Sequence, residues 1–203
     1  MTPPIDRRDP ASRTLGRGRC FLYVLPWASH EDVLKLGFSR DPLERLQALH
    51  PRWFEVFDLE RAFLVETEAV RDARVLELDL RRALVAHNAP APLTVRREAA
   101  GHTEWYRGAF AQLAEARVAL AARGYVLHDP LRPWLRDALL ARGDRLYSWT
   151  QAMLAPEELE WPVATTPGQR MVRYVLDACV ALDIALEPVL PEAVWRWYRG
   201  LRG

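Results

Sequence analysis

Two short apolar segments near the start of the chain constrain its fold more than any other feature. The first, CFLYVLPW, covers residues 20–27, and the second, VLKLGFS, covers residues 33–39. Both are rich in aromatic and β-branched residues, and the polar turn ASHED separates them. The pattern predicts an antiparallel hairpin of two buried strands. Gly37, inside the second strand, predicts a bulge or the close approach of another group to the backbone.

A helix is predicted directly after this hairpin. Asp41 can cap it, Pro42 suits its first position, and Glu44 stands where a capping box needs it. Further along, residues 53–65 alternate for part of their length and predict a third strand. Residues 66–87 place their apolar side chains on one stripe, which predicts a long amphipathic helix.

The pattern changes in the second half of the chain. Residues 104–124 predict a third helix that ends at Gly124. Beyond it, strand signals are absent and four short helical patterns follow, near residues 131–141, 144–155, 167–185 and 191–201. We therefore predict an α+β fold with a small antiparallel three-stranded sheet flanked by helices, followed by an all-helical C-terminal region. The predicted divisions are a basic flexible tail at 1–19, the α+β unit at 20–124, and a helical domain or appendage at 125–203.

Composition excludes several classes of protein. Half of the residues are apolar and 27% are charged, as expected of a soluble globular protein. No apolar run is long enough for a transmembrane helix, and the N-terminal segment has no secretory h-region. Cys20 and Cys179 match no metal or redox spacing, which favours buried thiols in a reducing cytoplasm and excludes a metal site built on cysteine. The net charge is +1, and only the tail at 1–19 is clearly basic.

Side chains that could carry chemistry occur throughout the α+β unit, and each also has an ordinary structural explanation. Tyr23 could be a core tyrosine, Arg45 a surface arginine and Glu77 a helix-surface glutamate. Glu77, however, lies next to the apolar stripe of its helix, where a charge must be paired or bound to a metal. The full set of candidates is Tyr23, Lys35, Arg45, His50, Glu77 and Glu104.

The order of these residues resembles the GIY-YIG endonuclease superfamily over residues 20–110. Phe21-Leu22-Tyr23 stands where that family has Gly-Ile-Tyr, and Lys35-Leu36-Gly37 stands where it has Tyr-Ile-Gly. Arg45 follows Gly37 by eight residues, the spacing of the family's catalytic arginine, and Glu77 matches its metal-binding glutamate. The segment TEWY resembles a block of a phage-type branch that also writes Lys-Ile-Gly for Tyr-Ile-Gly.

The resemblance implies hydrolysis of phosphodiester bonds with Mg²⁺ or Mn²⁺, with DNA a better candidate than RNA. It implies that Glu77 holds the metal and that Arg45 stabilises charge on the phosphoryl oxygens. It implies further that Tyr23 orients or deprotonates the attacking water, assisted by Lys35 or His50. Phe21 replaces the first glycine and Lys35 the second tyrosine, which leaves the general base open. Candidates for contacts with the substrate are Gly37, Ser39, Arg81 and Glu104.

Three functions therefore compete at this level. The first is a metal-dependent endonuclease, in which the helical region supplies substrate binding or partner docking. The second is a non-catalytic module that binds nucleic acid or acts as an adaptor on the same fold; the near-neutral charge and the loss of the second tyrosine favour it. The third is a protein-interaction protein that acts through residues 125–203, where five of the eight tryptophans lie. A homodimer is a further possibility, and no membrane partner is expected.

Overall fold

The computed structural model describes residues 18–29, 31–95 and 104–202, which form an α+β structure of five strands and eight α-helices. Nearly all of the predicted tail at 1–19 lies outside the described residues. The strands are β1 (Cys20–Pro26), β2 (Val33–Ser39), β3 (Phe63–Thr67), β4 (Trp105–Arg107) and β5 (Leu127–His128). The helices are α1 (Pro42–Leu49), α2 (Trp53–Val56), α3 (Val70–Ala83), α4 (Phe110–Ala122), α5 (Leu131–Leu140), α6 (Gly143–Met153), α7 (Pro167–Ala181) and α8 (Glu192–Gly200).

The five strands form one antiparallel sheet in the order β4-β2-β1-β3-β5. The predicted hairpin of β1 and β2 is confirmed, with Tyr23 opposite Gly37. The predicted number of strands is wrong, because β4 and β5 extend the sheet at its two edges. β5 also lies in the region expected to be entirely helical. With three and two residues, these strands are too short to show an alternating pattern, and their pairing partners define them.

The segment predicted as the third strand is a helix and a strand joined by a turn. Residues 53–56 form α2, and the strand begins only at Phe63. Between them, one carboxylate oxygen of Asp58 accepts hydrogen bonds from the amides of Glu60 and Arg61, each at 3.1 Å, and this Asx-type turn reverses the chain. Trp53 is buried from within a helical turn. Trp53 is therefore apolar because it packs in the core, and its apolar character does not indicate a strand.

Helix α1 forms as its sequence predicts. Asp41 Oδ1 accepts a hydrogen bond from the Glu44 amide at 3.0 Å, and Pro42 occupies the first turn. Leu43, Leu46 and Leu49 are buried on one face. The cap and this apolar face together fix the position of every other side chain on α1, Arg45 included. The four helical patterns of the second half are likewise confirmed as α5 to α8.

Alternate residues of β1 point to opposite sides of the sheet, and each side packs against a different set of helices. Leu22 and Val24 belong to one hydrophobic cluster with residues of α3 and α4. Phe21 belongs to the other, which includes α1 and the C-terminal helices. Leu131 and Leu135 of α5 are fully buried in that second cluster. The C-terminal helices are therefore built directly onto the sheet. Within the described ranges, no helix has the length and apolar character to cross a membrane.

Candidate active site

The register of the central hairpin places Tyr23 directly across from Gly37. A Cβ atom on Gly37 would lie 2.5 Å from the Tyr23 hydroxyl oxygen and 2.7 Å from Cζ, far inside van der Waals contact. The tyrosine side chain therefore occupies the space that any larger residue at position 37 would need. The close approach predicted from Gly37 is confirmed, and it fixes the position of a buried phenol.

Arg45 lies beside this phenol because α1 begins where it does. Its Nε donates a hydrogen bond to the Tyr23 hydroxyl at 3.3 Å. Tyr23 is only 1% exposed, and burial raises its pKa to about 12, although the charge of Arg45 and its hydrogen bond oppose the rise. The phenol is therefore protonated at neutral pH.

Lys35 is the second buried polar group, with a fully inaccessible side chain. Its Nζ donates a hydrogen bond to Glu104 Oε2 at 2.9 Å and lies 5.3 Å from the centre of the Trp105 ring. β4 and the residue before it position both partners, because Lys35 pairs with Trp105 and the Leu36 amide donates to the Glu104 carbonyl at 3.0 Å. Burial lowers the pKa of Lys35, and the hydrogen bond to Glu104 opposes this shift.

Glu77, on helix α3, is the third buried polar group of the site. The side chain is buried alongside Ala73 and Leu76, so its predicted place at the edge of the apolar stripe is confirmed. Arg81 Nη1 lies 3.9 Å from its Oε1. Burial raises the pKa of Glu77, and the negative charge of Glu104 adds to the rise, whereas Arg81 opposes it. The two carboxylates therefore repel each other across the site.

These groups share one neighbourhood. The pKa of Tyr23 responds, after burial and Arg45, to the charges of Glu104 and Glu77. The pKa of Lys35 likewise responds to the charges of Glu104, Arg45 and Glu77. A tyrosine, two cations and two carboxylates, from two strands, two helices and the residue that precedes β4, thus act on one another. We refer to Tyr23, Lys35, Arg45, Glu77 and Glu104 together as the Tyr23 site.

Two further predicted site residues, Ser39 and His50, make local structural hydrogen bonds at the two ends of α1. Ser39 Oγ donates to the Asp41 carbonyl at 2.9 Å and accepts from the Asp41 amide at 3.1 Å, which shapes the turn from β2 into α1. His50 is the C-terminal cap of α1, and its Nδ1 accepts a hydrogen bond from the Arg52 amide at 3.1 Å. The structure thus places His50 at the opposite end of α1 from the Asp41 cap.

Tyr106 is a site neighbour that sequence reasoning missed. It is buried and hydrogen-bonded to the Arg81 guanidinium, which in turn approaches Glu77. Burial raises its pKa, and Arg81 opposes the rise. The helix predicted from residue 104 onward is wrong at its start, because Trp105–Arg107 form β4 and the helix begins only at Phe110. Glu104 directly precedes β4, so this stretch of the chain supplies two polar side chains, Glu104 and Tyr106, to the site and its surroundings.

The carboxylate oxygens of this site suit Mg²⁺ better than a metal ion that protein side chains alone enclose. No group of three or more histidine, cysteine, aspartate or glutamate side chains forms a metal cluster among the described residues. Mg²⁺, however, is commonly held by one or two carboxylates together with substrate phosphates and waters. Glu77 and Glu104 supply hard oxygen ligands, and a divalent cation would relieve their mutual repulsion. The residues present therefore fit a cation that binds together with its substrate.

A protein-family model matches part of the chain. The profile of the T5orf172 domain matches residues 20–121, just over half of the 203 residues. The chain belongs to the T5orf172 domain family. T5orf172 domains are phage-associated and are linked to nuclease or DNA-binding functions. The match begins at β1, ends in α4 and contains all five residues of the Tyr23 site. No curated protein and no solved structure matches the chain.

Proposed function

We propose that this protein is a metal-dependent endonuclease of the GIY-YIG type that hydrolyses phosphodiester bonds, with DNA as its preferred substrate. One observation carries the proposal: Tyr23, Arg45 and Glu77 lie in one neighbourhood, although 22 and 32 residues separate them in sequence. Membership of a nuclease-related domain family supports it. So does the burial of Glu77, because a buried carboxylate destabilises a fold unless a partner or a cation compensates its charge.

Arg45 binds the scissile phosphate in this mechanism. A guanidinium carries five N–H donors in a planar fork that matches phosphoryl oxygens. The hydrogen bond from its Nε to Tyr23 fixes the orientation of that fork before substrate arrives. Lysine at this position would supply a point charge without the planar geometry. Arg45 therefore stabilises the charge that develops as the phosphodiester bond breaks.

Tyr23 and the Lys35–Glu104 pair act on the attacking water. The phenol keeps its proton at neutral pH, so Tyr23 positions the water by hydrogen bonding and leaves its proton in place. Glu104 is 25% exposed and accepts the proton released by the water. The ammonium of Lys35, 2.9 Å away, holds that carboxylate in place.

A divalent cation, Mg²⁺ or Mn²⁺, would be held by Glu77. When bound, it would act as a Lewis acid that stabilises negative charge on the phosphoryl oxygens. Arg81 and Tyr106 keep Glu77 oriented from the side of α3 and β4. These two residues are positioning groups in the mechanism.

A non-catalytic nucleic-acid-binding module is the second candidate. The observation that favours it is that each carboxylate already has a cation nearby, Lys35 at 2.9 Å from Glu104 and Arg81 at 3.9 Å from Glu77. The protein-interaction alternative has less support. Trp134 packs edge-on against Phe21 and Trp197 is buried, so these two tryptophans of the C-terminal half serve the core.

One assay separates these functions. The purified protein is incubated with supercoiled plasmid, single-stranded DNA and RNA in Mg²⁺, Mn²⁺ or EDTA, beside Arg45→Ala and Glu77→Ala. Arg82→Ala is the matched control, because Arg82 is on the same helix as Glu77 and its side chain is 76% exposed. We expect metal-dependent cleavage by the wild type and the control, and none by the two site variants. Cleavage that survives both site substitutions would refute the assignment, and binding without cleavage would support the second candidate.

A further inference from the structure

A large groove runs between α1 on one side and α6 and α7 on the other, with a volume of about 1330 Å³. It is separate from the Tyr23 site, yet both share α1. Glu44 and Gln47 line the groove, whereas Arg45 contacts Tyr23. An α-helix is about 10 Å across, so the groove approaches the Tyr23 site to within one helix diameter.

The charged side chains of the groove favour an anionic occupant. Asp41 is neutralised, because its Oδ2 forms an ion pair with Arg142 while its Oδ1 caps α1. Arg145 and Arg170 also line the groove and are exposed. Neither enters an ion pair among the described residues. Arg170 Nη1 donates instead to the Thr165 carbonyl at 2.9 Å. Besides Asp41, the one acidic residue in the described part of the lining is Glu44, whose side chain is exposed. The residues that line the groove therefore carry a net positive charge.

Two aromatic side chains and a methionine line the same groove as these arginines. Trp149 and Tyr174 are half-buried, and Met171 is 52% exposed. All three line the groove. Aromatic side chains interleaved with cations are the arrangement by which proteins bind single-stranded nucleic acid: bases stack on the rings and phosphates bind the cations. A duplex offers no unstacked bases to Trp149, and an acidic peptide would leave the rings without stacking partners.

We infer that this groove binds a single-stranded segment of nucleic acid and delivers the adjoining phosphodiester to the Tyr23 site. The inference rests on the proposed nuclease function and extends it, because it assigns a substrate class and a second binding surface, of which α6 and α7 lie beyond the matched domain. Arg145 and Arg170 contact phosphates, and Trp149 stacks on a base. α1 forms the wall shared by the two sites.

Binding is measured by fluorescence anisotropy in EDTA, with labelled oligo-dT, oligo-rU and a duplex of equal length. The variants are Trp149→Ala and the double substitution Arg145→Glu with Arg170→Glu. Matched controls are Trp161→Ala, whose side chain is 69% exposed, and Arg136→Glu on α5; neither lines the groove. We expect the double variant to weaken single-strand binding at least about tenfold and to flatten its salt dependence. Trp149→Ala should weaken it about fivefold or more through lost stacking.

Each outcome decides the inference. Circular dichroism checks that the variants fold, and the double variant changes only exposed side chains. Comparison of oligo-dT with oligo-rU identifies the sugar that the groove accepts. Wild-type cleavage with unchanged single-strand binding in both groove variants would overturn the groove and leave the endonuclease intact. If the groove substitutions weaken duplex binding as much as they weaken single-strand binding, the assignment of the groove to a single strand is overturned. A wild type that neither binds nor cleaves any nucleic acid would overturn the proposed function itself.

Discussion

At the scale of single residues, the site depends on side chains that a typical core would exclude. Lys35, Glu77 and Tyr23 are buried polar groups in one neighbourhood, and burial shifts the pKa of each against its charged form. Such clustered shifts are typical of functional sites. The sequence could identify these residues through the spacing of Gly37, Arg45 and Glu77. It could not identify Tyr106, whose importance depends on a strand pairing with no local signal.

Gly37→Ala should disrupt the site and reduce stability. The new Cβ would lie 2.5 Å from the Tyr23 hydroxyl oxygen, so the tyrosine side chain must move away from Arg45. Overpacking of this kind costs about 1–3 kcal/mol in free energy of unfolding. Urea denaturation measures that loss, and the cleavage assay should show little remaining activity. Gly143→Ala is the control, because a Cβ at Gly143 meets nothing within 4 Å; a Gly37→Ala variant as stable and active as this control would contradict the packing argument.

Glu77→Gln should abolish cleavage and yet stabilise the protein at neutral pH. The pKa of Glu77 is raised in the folded state, so the side chain is harder to ionise there than in the unfolded chain. Ionisation of Glu77 therefore lowers the free energy of unfolding. This penalty is fully present above the raised pKa of the folded state, and it disappears as the pH falls through that pKa to below the ordinary value of 4.5. The stability gain of Glu77→Gln should follow the same course. Thermal unfolding at several pH values measures it.

Mg²⁺ provides a second readout for the same pair of proteins. A cation held by Glu77 binds only the folded state, so it should raise the melting temperature of the wild type. Glu77→Gln should show a much smaller rise. Equal stabilisation of both proteins by Mg²⁺ would contradict the role of Glu77 as metal ligand, whatever the cleavage assay shows.

At the scale of secondary structure, local signals predicted the elements that carry their own caps and periodicity. The β1–β2 hairpin and α1 are of this kind, because Asp41, Pro42 and the leucines of α1 act within one segment. β4 and β5 are not, since three and two residues become strands only through pairing with β2 and β3. The split of residues 53–65 depends on the turn at Asp58. Tertiary partners therefore decided the elements that the sequence did not predict.

The N-terminal cap of α1 can be tested apart from its ion pair. Asp41→Ala removes both the cap to the Glu44 amide and the contact with Arg142, whereas Asp41→Asn keeps a capping oxygen and loses only the full charge. We expect Asp41→Ala to cost about 0.5–2 kcal/mol in free energy of unfolding and to lower the cleavage rate, because Arg45 lies in the first turn of this helix. Asp41→Asn should retain most of both. Asp137→Ala, at an exposed position on α5, is the neutral control.

If Asp41→Asn loses as much stability and activity as Asp41→Ala, the ion pair with Arg142, and not the cap, holds α1 in place. Urea denaturation and cleavage measured on the same preparations distinguish the two. The comparison also bears on the groove, because Asp41 and Arg142 both line it.

At the scale of the whole molecule, the C-terminal helices complete the core of the domain that the family profile matches. Leu131, Leu135, Val172 and Leu176 are fully buried in the same cluster as residues of β1 and α1. Arg52 Nη1 donates to Asp177 Oδ2 at 2.9 Å and ties the N-terminal half to α7. Composition located the change of character near residue 125, since helical patterns replace strand patterns there. It could not show that one core spans the change.

A fragment that ends at Gly124 should therefore fail to fold as an independent unit. Without α5 to α8 and β5, it would expose one apolar face of the sheet, including Phe21, and the buried leucines of α1. Unpaired β3 would also become an open edge of the sheet. We expect it to bind a hydrophobic dye and to lose the cooperative thermal transition of the full chain. A fragment that unfolds cooperatively at the same temperature as the full chain would show that residues 20–124 are a separate domain. The helical half would then be an attachment that does not support the fold of the Tyr23 site.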